Sequence, residues 1–196
     1  MPIVKLINEP NQAYRNIALR LQGDMKPLWQ SIRTDDSYTP YWLIARELFP
    51  VAESVGALIH NDISNTKNLI DFFEKDLQKV RPGYADVSHI ASDIYRHSLI
   101  HQDEMRSLRA GAITIEWRLS IGDSEYHLKR KHKNPRKRAC TLSFDLFIFY
   151  NDILELLKMY EKKGPKRGIV GRYNRWTLKI SPNSDTRLQA HEFYYS

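Results

Sequence analysis

Arg96 and His101, with four residues between them, stand in the run Tyr95-Arg96-His97-Ser98-Leu99-Ile100-His101-Gln102, inside an otherwise apolar helical pattern. Arginine carries a fixed, planar cation, and histidine is the side chain whose ordinary titration falls near neutral pH. A fixed cation and a group that exchanges a proton near neutrality are two parts needed to cut a phosphodiester without a metal. The chemistry is named by these residue types. The substrate is not.

The element that must position them is a helix over about 85 to 102. At 100° per residue, Val87, Ile90, Ala91, Ile94 and Ser98 share one face, and His97 and His101 fall near it. Arg96 lies about 140° of helical rotation away from His101. Convergence of the two therefore requires the helix to end or distort near His101, or the long Arg96 side chain to reach around it. Two other readings of the same run stand beside this one. His89, Asp93, His97 and His101 are spaced by four, but the stripe drifts by about 120° across all four, so at most Asp93, His97 and His101 could share an ion. No matching cluster on another helix supports a metal. Alternatively, His101 bonds a backbone carbonyl at a helix end while Arg96 pairs with Asp103 or Glu104 at the surface.

A second feature is charge. The formal net charge is +7, and seven cations fall within ten residues: Lys129, Arg130, Lys131, Lys133, Arg136, Lys137 and Arg138. No acid interrupts them. Another basic region runs from Lys158 through Lys162, Lys163, Lys166, Arg167, Arg172 and Arg175 to Lys179. Phosphates are the natural polyanionic partner, because neutralising them releases counterions and gives affinity without sequence specificity. The competing reading is a solvated hairpin tip that binds nothing.

With 196 residues, 42% of them hydrophobic, the chain is long enough to bury a real core. No apolar run reaches the ~18 residues of a membrane span, the first residues lack the pattern of a secretory signal, and the single Cys140 reads as a small buried hydrophobe. A cytoplasmic protein with no membrane association is the expectation. A phosphate-binding glycine loop, a dinucleotide turn, a nucleophile elbow and paired zinc-type cysteines are all missing from the sequence, and no cofactor is implied.

Periodicity predicts a helix over about 10 to 33, carrying Ile17, Leu21, Leu28 and Ile32, with Pro27 kinking or dividing it. A second helix starts at Thr39-Pro40 and is bent or restarted at Pro50; Asn65 caps a third, which carries Leu69, Ile70, Phe73 and Leu77. Arg81-Pro82-Gly83-Tyr84 is a turn before the motif helix. Alternation over Ala112–Leu119 predicts a strand, Glu125–Lys131 a returning strand and Ala139–Ser143 a third, followed by a helix from Phe144 to Tyr160. Arg175–Ile180 reads as an isolated strand. Trp42, Phe49, Phe72 and Phe73 are expected in the core, while Trp117 and Trp176 are placed beside basic segments where they could stack on bases, although strand tryptophans more often pack. The expected fold is mainly α (α+β): a helical bundle with a small antiparallel sheet inserted before the last long helix. As domains, this is one unit over 1–196, with a helical body at about 10–105 and 144–162, a β-hairpin elaboration at about 111–143 and a C-terminal basic segment at about 163–196.

The Arg96-to-His101 run, a polar residue directly after the arginine, resembles the motif of the HEPN superfamily, helical proteins that include many ribonucleases. The resemblance covers about residues 40–105 and 144–162. It implies a homodimer in which two copies of the motif face one another across a joint cleft. It also implies that His101 acts as general base or acid on a ribose 2′-hydroxyl, a transfer typically worth about 10²- to 10⁴-fold in rate. Arg96 then holds the phosphate and stabilises the extra charge of the transition state. His97, with Tyr95 and Asp103, would support the site, and a nucleotidyltransferase antitoxin is the kind of partner the family brings. The inserted sheet and its basic loop depart from a minimal bundle. Two functions follow: an RNA-binding, metal-independent endoribonuclease, or a non-catalytic interaction module that binds nucleic acid or an acidic protein through its basic hairpin.

Overall fold

A computed structural model describes residues 6–32, 39–60, 65–94, 107–134, 138–164 and 168–177. Six α-helices and four strands lie among them: α1 Pro10–Ile32, α2 Thr39–His60, α3 Asn65–Asp71, α4 Tyr84–Ile94, β1 Leu108–Ala110, β2 Ile113–Ser120, β3 Arg130–Asn134, β4 Ala139–Asp145, α5 Leu146–Lys163 and α6 Ile169–Thr177. The protein is mainly helical, with a small sheet before its last long helix, as the sequence indicates.

α1 buries Ala13, Tyr14, Ile17, Leu21 and Met25 along one stripe. Neither Pro27 in α1 nor Pro50 in α2 divides its helix. Both prolines are exposed, as are Gly23 and Arg46, the residues four positions earlier whose carbonyls lose a partner. Water can satisfy those carbonyls, while the opposite face of each helix stays anchored in the core. The helix expected around Leu69, Phe73 and Leu77 is less regular than its periodicity suggests. After α3 the chain widens into a π-turn over Phe72–Asp76 and tightens into a 3₁₀ turn over Leu77–Lys79. This arrangement lets Phe72, Phe73, Asp76 and Leu77 all point inward. Gly83 closes the following turn at φ 103°, and the Gln78 Oε1 accepts from the backbone N–H groups of Gly83 and Ala85, both at 3.1 Å, satisfying the start of α4.

The sheet has the order β1-β2-β4-β3 and is mixed. β1 pairs with β2 antiparallel, β2 with β4 parallel, and β3 with β4 antiparallel. The expected antiparallel hairpin from the 113–120 strand to a strand at 125–131 is therefore corrected. That segment forms a 3₁₀ turn at Ser124–Tyr126, crosses β4, and pairs as β3 on its far side. β1 carries no alternation long enough to announce it. A further correction concerns Arg175–Ile180: residues 175–177 belong to α6, and 178–180 lie outside the described residues. α6 is tied to the body by Asn174, which exchanges two 3.0 Å hydrogen bonds with the backbone of Ile7, and by Arg172, whose Nε donates to the Leu58 carbonyl at 2.6 Å.

The core joins sheet and helices through aromatic rings. Phe49 of α2 lies 5.1, 5.4 and 5.7 Å, centroid to centroid, from Phe149, Phe144 and Trp117. Phe72 and Phe73 are fully buried, Trp42 is half-buried against the core and Cys140 is buried. Trp117 stacks on Phe144 at 5.0 Å with ring planes 13° apart, so it is a packing residue and not a base-stacking platform.

Candidate functional site

α4 delivers the chain to the motif: its last residue, Ile94, directly precedes Tyr95. Tyr95, Arg96, His97, His101 and Asp103 themselves lie outside the described residues. Up to that point the expected stripe faces the core, with Val87, Ala91 and Ile94 buried and Ile90 half-buried. His89 and Asp93 are exposed, and His89 lies 3.7 Å from Glu74 across the surface. No group of three metal-ligating side chains occurs among the described residues.

The basic segment forms a sheet edge. β3 is the outermost strand beside β4, and Lys129, Arg130, Lys131 and Arg138 are all exposed. Arg138 turns the chain with φ 45°, an unusual conformation for a residue with a Cβ, and the ladder is irregular between His132 and Asn134. The Lys133 side chain, Arg136 and Lys137 lie outside the described residues. Lysines on an exposed edge deter sheet-to-sheet pairing, and the same cations present a positive rim to a polyanion.

Two buried polar networks were not legible as sites in the sequence. The first surrounds Asp76, which is fully buried at the end of the π-turn. His60 Nε2, from the last residue of α2, meets Asp76 Oδ2 at 2.5 Å. Tyr160 of α5 donates its phenol hydrogen to Oδ1, and Lys79 Nζ donates both to Oδ1 at 3.1 Å and to the Tyr160 oxygen at 2.9 Å. Burial by itself raises the Asp76 pKa, but the hydrogen bonds from His60 and Tyr160, with the nearby His60 charge and Lys79, hold it below the usual carboxylate range. Burial and the adjacent Asp76 drive the Tyr160 phenol strongly upward, so it stays a donor. Tyr14 stacks on Tyr160 at 5.6 Å and is pushed up to about 12, chiefly by burial. A carboxylate fixed in this way orients one face of an imidazole at the bundle's end.

The second network surrounds Asp152 of α5. Arg81 grips it with two bonds of 2.7 and 3.1 Å, and Tyr84 donates to Oδ2 at 2.9 Å. His127 Nε2 donates to the Tyr84 oxygen at 3.1 Å, while its Nδ1 accepts the Asp145 backbone N–H at 2.9 Å. Asp145 caps α5 by accepting from Ile148 N–H at 2.9 Å and also holds the Asp123 N–H at 2.7 Å. Burial, then the Arg81 charge, lowers His127 to about 3. This histidine is neutral throughout the physiological range.

The one sequence signal for both networks is an acid set on the inward face of an apolar run: Asp76 after Phe72-Phe73, and Asp152 within Phe149-Tyr150-Asn151-Asp152-Ile153-Leu154. Such an acid is tolerated in a core only when partners arrive from elsewhere in the chain. No helix among the described residues is long and apolar enough to cross a membrane. Comparison with known proteins adds no family: no family model matches the chain, nor does any curated protein or solved structure.

Proposed function

We propose that this chain is an HEPN-like RNA-binding protein whose basic sheet edge holds the phosphate backbone, with Arg96 and His101 as the pair that cleaves it without a metal. The observation that carries the binding half is the exposed edge strand with Lys129, Arg130, Lys131 and Arg138 and no acid in the segment. In the cleavage half, His101 takes the proton of a ribose 2′-hydroxyl as its oxygen attacks the adjacent phosphorus. The bond to the 5′-oxygen of the next nucleotide breaks, that oxygen takes a proton from water as it leaves, and the His101 imidazolium returns its proton to the solvent. A 2′,3′-cyclic phosphate and a 5′-hydroxyl result, with Arg96 stabilising the charge gained by the phosphorane-like transition state. The homodimer and its joint cleft belong to the same proposal.

The test is incubation of the purified protein with mixed RNA in the presence of a chelator. Cleavage is expected for the wild type and is lost in Arg96→Ala and His101→Ala, both folded by circular dichroism; cleavage that persists in both variants overturns the catalytic assignment. A second reading, a non-catalytic module, is favoured by the same edge strand, since its cations are exposed independently of the motif. Under that reading RNA is bound but not cut, and His101→Ala changes neither affinity nor product.

A further inference from the structure

Helices α1 and α5 lie antiparallel. Arg15 near the start of α1 donates to Glu161 near the end of α5 at 2.8 Å, while Trp29 near the end of α1 meets Phe147 and Tyr150 in the first turns of α5. Between the two helices runs an open groove. On its α1 side, Arg15, Leu19, Gln22, Lys26 and Gln30 recur at spacings of three and four and so form one stripe. On its α5 side, Tyr150, Leu154, Lys158 and Lys162 are spaced by four. Two hollows of about 770 and 440 Å³ open along the groove, and Gln22 lines both, so they are parts of one surface. Leu19 and Phe147, 60% and 45% exposed, are among the large apolar side chains that the described residues leave open to solvent.

The two ends of the groove differ. At one end Trp29 stands edge-on to Tyr150, at 5.5 Å and 67°, and to Phe147, at 5.4 Å and 84°, so three rings meet in one corner. The smaller hollow lies here, walled by Trp29 and Tyr150 and rimmed by Gln22, Lys26 and Gln30, all three exposed. The Trp29 indole N–H is sealed inside, so this residue offers ring surface and no donor. At the other end Lys158 and Lys162 are exposed, and neither they nor Lys26 form an ion pair among the described residues. Glu155 stands beside them and opposes an anion, whereas Glu161 is occupied by Arg15. Flat apolar walls with amides and a cation at their rim fit a planar heterocycle that carries polar groups at its edge and a phosphate beyond it. An apolar partner helix fits less well, because it would bury the Gln22 and Gln30 amides without hydrogen bonds.

We infer that the α1–α5 groove is a base-stacking subsite for single-stranded RNA: one base lies in the aromatic corner against Trp29 and Tyr150, Lys26 takes its phosphate, and the strand continues along the groove towards Lys158 and Lys162. The inference rests on the RNA-binding reading above and adds a kind of contact that the basic edge does not make, since Lys129, Arg130, Lys131 and Arg138 supply charge alone. α5 follows β4 directly, and β4 holds the basic edge strand, so one continuous stretch of chain carries both surfaces. From Tyr150 to Lys162 the helix rises about 18 Å, which separates the aromatic end of the groove from the basic end. Stacking needs only a π-face, which every base has. The subsite therefore prefers bases over bare backbone without selecting among them.

The test is fluorescence anisotropy of the full chain with two labelled strands of equal length over a salt series. One is a 2′-O-methyl oligouridylate, which cannot be cut through its 2′-oxygen; the other is the same backbone without bases. Wild type is expected to bind the oligouridylate about tenfold or more tightly than the abasic strand. Tyr150→Leu keeps an apolar side chain and removes the ring, so it erases that preference, whereas Tyr150→Phe keeps the ring and retains it. Lys26→Ala weakens both strands and flattens the log–log salt slope by about 0.7. Uridine 5′-monophosphate competes only at much higher concentration than the oligouridylate. Equal affinity of wild type for the two strands, or an undiminished preference in Tyr150→Leu, overturns the subsite. Uridine monophosphate that binds as tightly as the oligouridylate overturns the assignment to a strand and gives the groove to a free nucleotide. Wild type that binds neither strand overturns the RNA-binding reading itself, which is a different result. The comparison of strands in wild type needs no substitution, so it decides even if Tyr150→Leu loses its fold by circular dichroism.

Discussion

His127 Nδ1 accepts the backbone N–H of Asp145 at 2.9 Å, which leaves the ring proton of the neutral imidazole on Nε2, facing the Tyr84 oxygen at 3.1 Å. Tyr84 passes the direction on by donating to Asp152. One amide at the start of α5 thus orders a chain of donors that ends at a carboxylate gripped by Arg81. The chain links the sheet's loop, α4 and α5 at their common junction, and it is satisfied only while His127 is neutral.

That condition sets a pH dependence. His127 titrates at about 3 when folded, against ~6.5 for an ordinary histidine. The unfolded chain therefore binds the proton first, and the stabilisation is full above pH ~6.5 and is lost as pH falls towards 3. The full linkage is about 4 to 5 kcal/mol. Urea unfolding of wild type and His127→Gln at intervals from pH 7 to 4 should give a steeper decline for the wild type. Parallel curves would refute the neutral buried assignment.

Asp76 is the second pressure point. Asp76→Asn removes the buried charge that meets His60 and the half-exposed Lys79 and should cost about 1 to 3 kcal/mol in unfolding free energy. By contrast, Lys67→Ala breaks the exposed end of the 3.1 Å Lys67–Asp71 pair, and a loss below about 1 kcal/mol is expected. Equal losses from the two substitutions would contradict the ranking by burial.

Gly56 lies at a close approach of α2 to α3. A Cβ built there meets the Asn68 carbonyl oxygen at 2.3 Å and Phe72 Cβ at 3.1 Å. Backbone cannot yield as a flexible side chain does, so Gly56→Ala should destabilise by about 1 to 3 kcal/mol despite its better helix propensity. A midpoint equal to wild type in chemical denaturation would show that the helices separate freely.

The basic edge makes a prediction separate from cleavage. Reversing Lys129, Arg130, Lys131 and Arg138 to glutamate should abolish RNA binding at physiological salt while changing the unfolding free energy by no more than about 0.5 kcal/mol per substitution, because all four are exposed. Retained binding with an unchanged salt slope would remove this edge from the interface.

Much of the helical body could be read directly from the residues. Ile17 and Leu21 in α1, Phe49 in α2, Leu69 in α3 and Leu156 and Leu157 in α5 recur at helical spacing because each helix exposes one stripe to the core, and all are buried. The charge cluster was equally plain, since it depends on composition over ten residues and not on partners. The pairing of Arg96 with His101 rests on residue type and spacing alone, and both lie outside the described residues.

What the sequence determined, then, was which residues seek burial and where charge accumulates; tertiary structure decided what meets what. Pro27 and Pro50 remain within helices because their faces of α1 and α2 are solvated, a fact about neighbours that no local propensity contains. β2 and β4 pair in parallel although the chain between them invites a hairpin, because alternation specifies a face and not a partner strand. Asp76 and Asp152 become the centres of ordered networks only when His60, Tyr160, Arg81 and Tyr84 converge on them across the fold. Arg109, Arg118 and Lys131 share one face of the sheet for the same reason: strand pairing gathers cations that lie far apart in the chain.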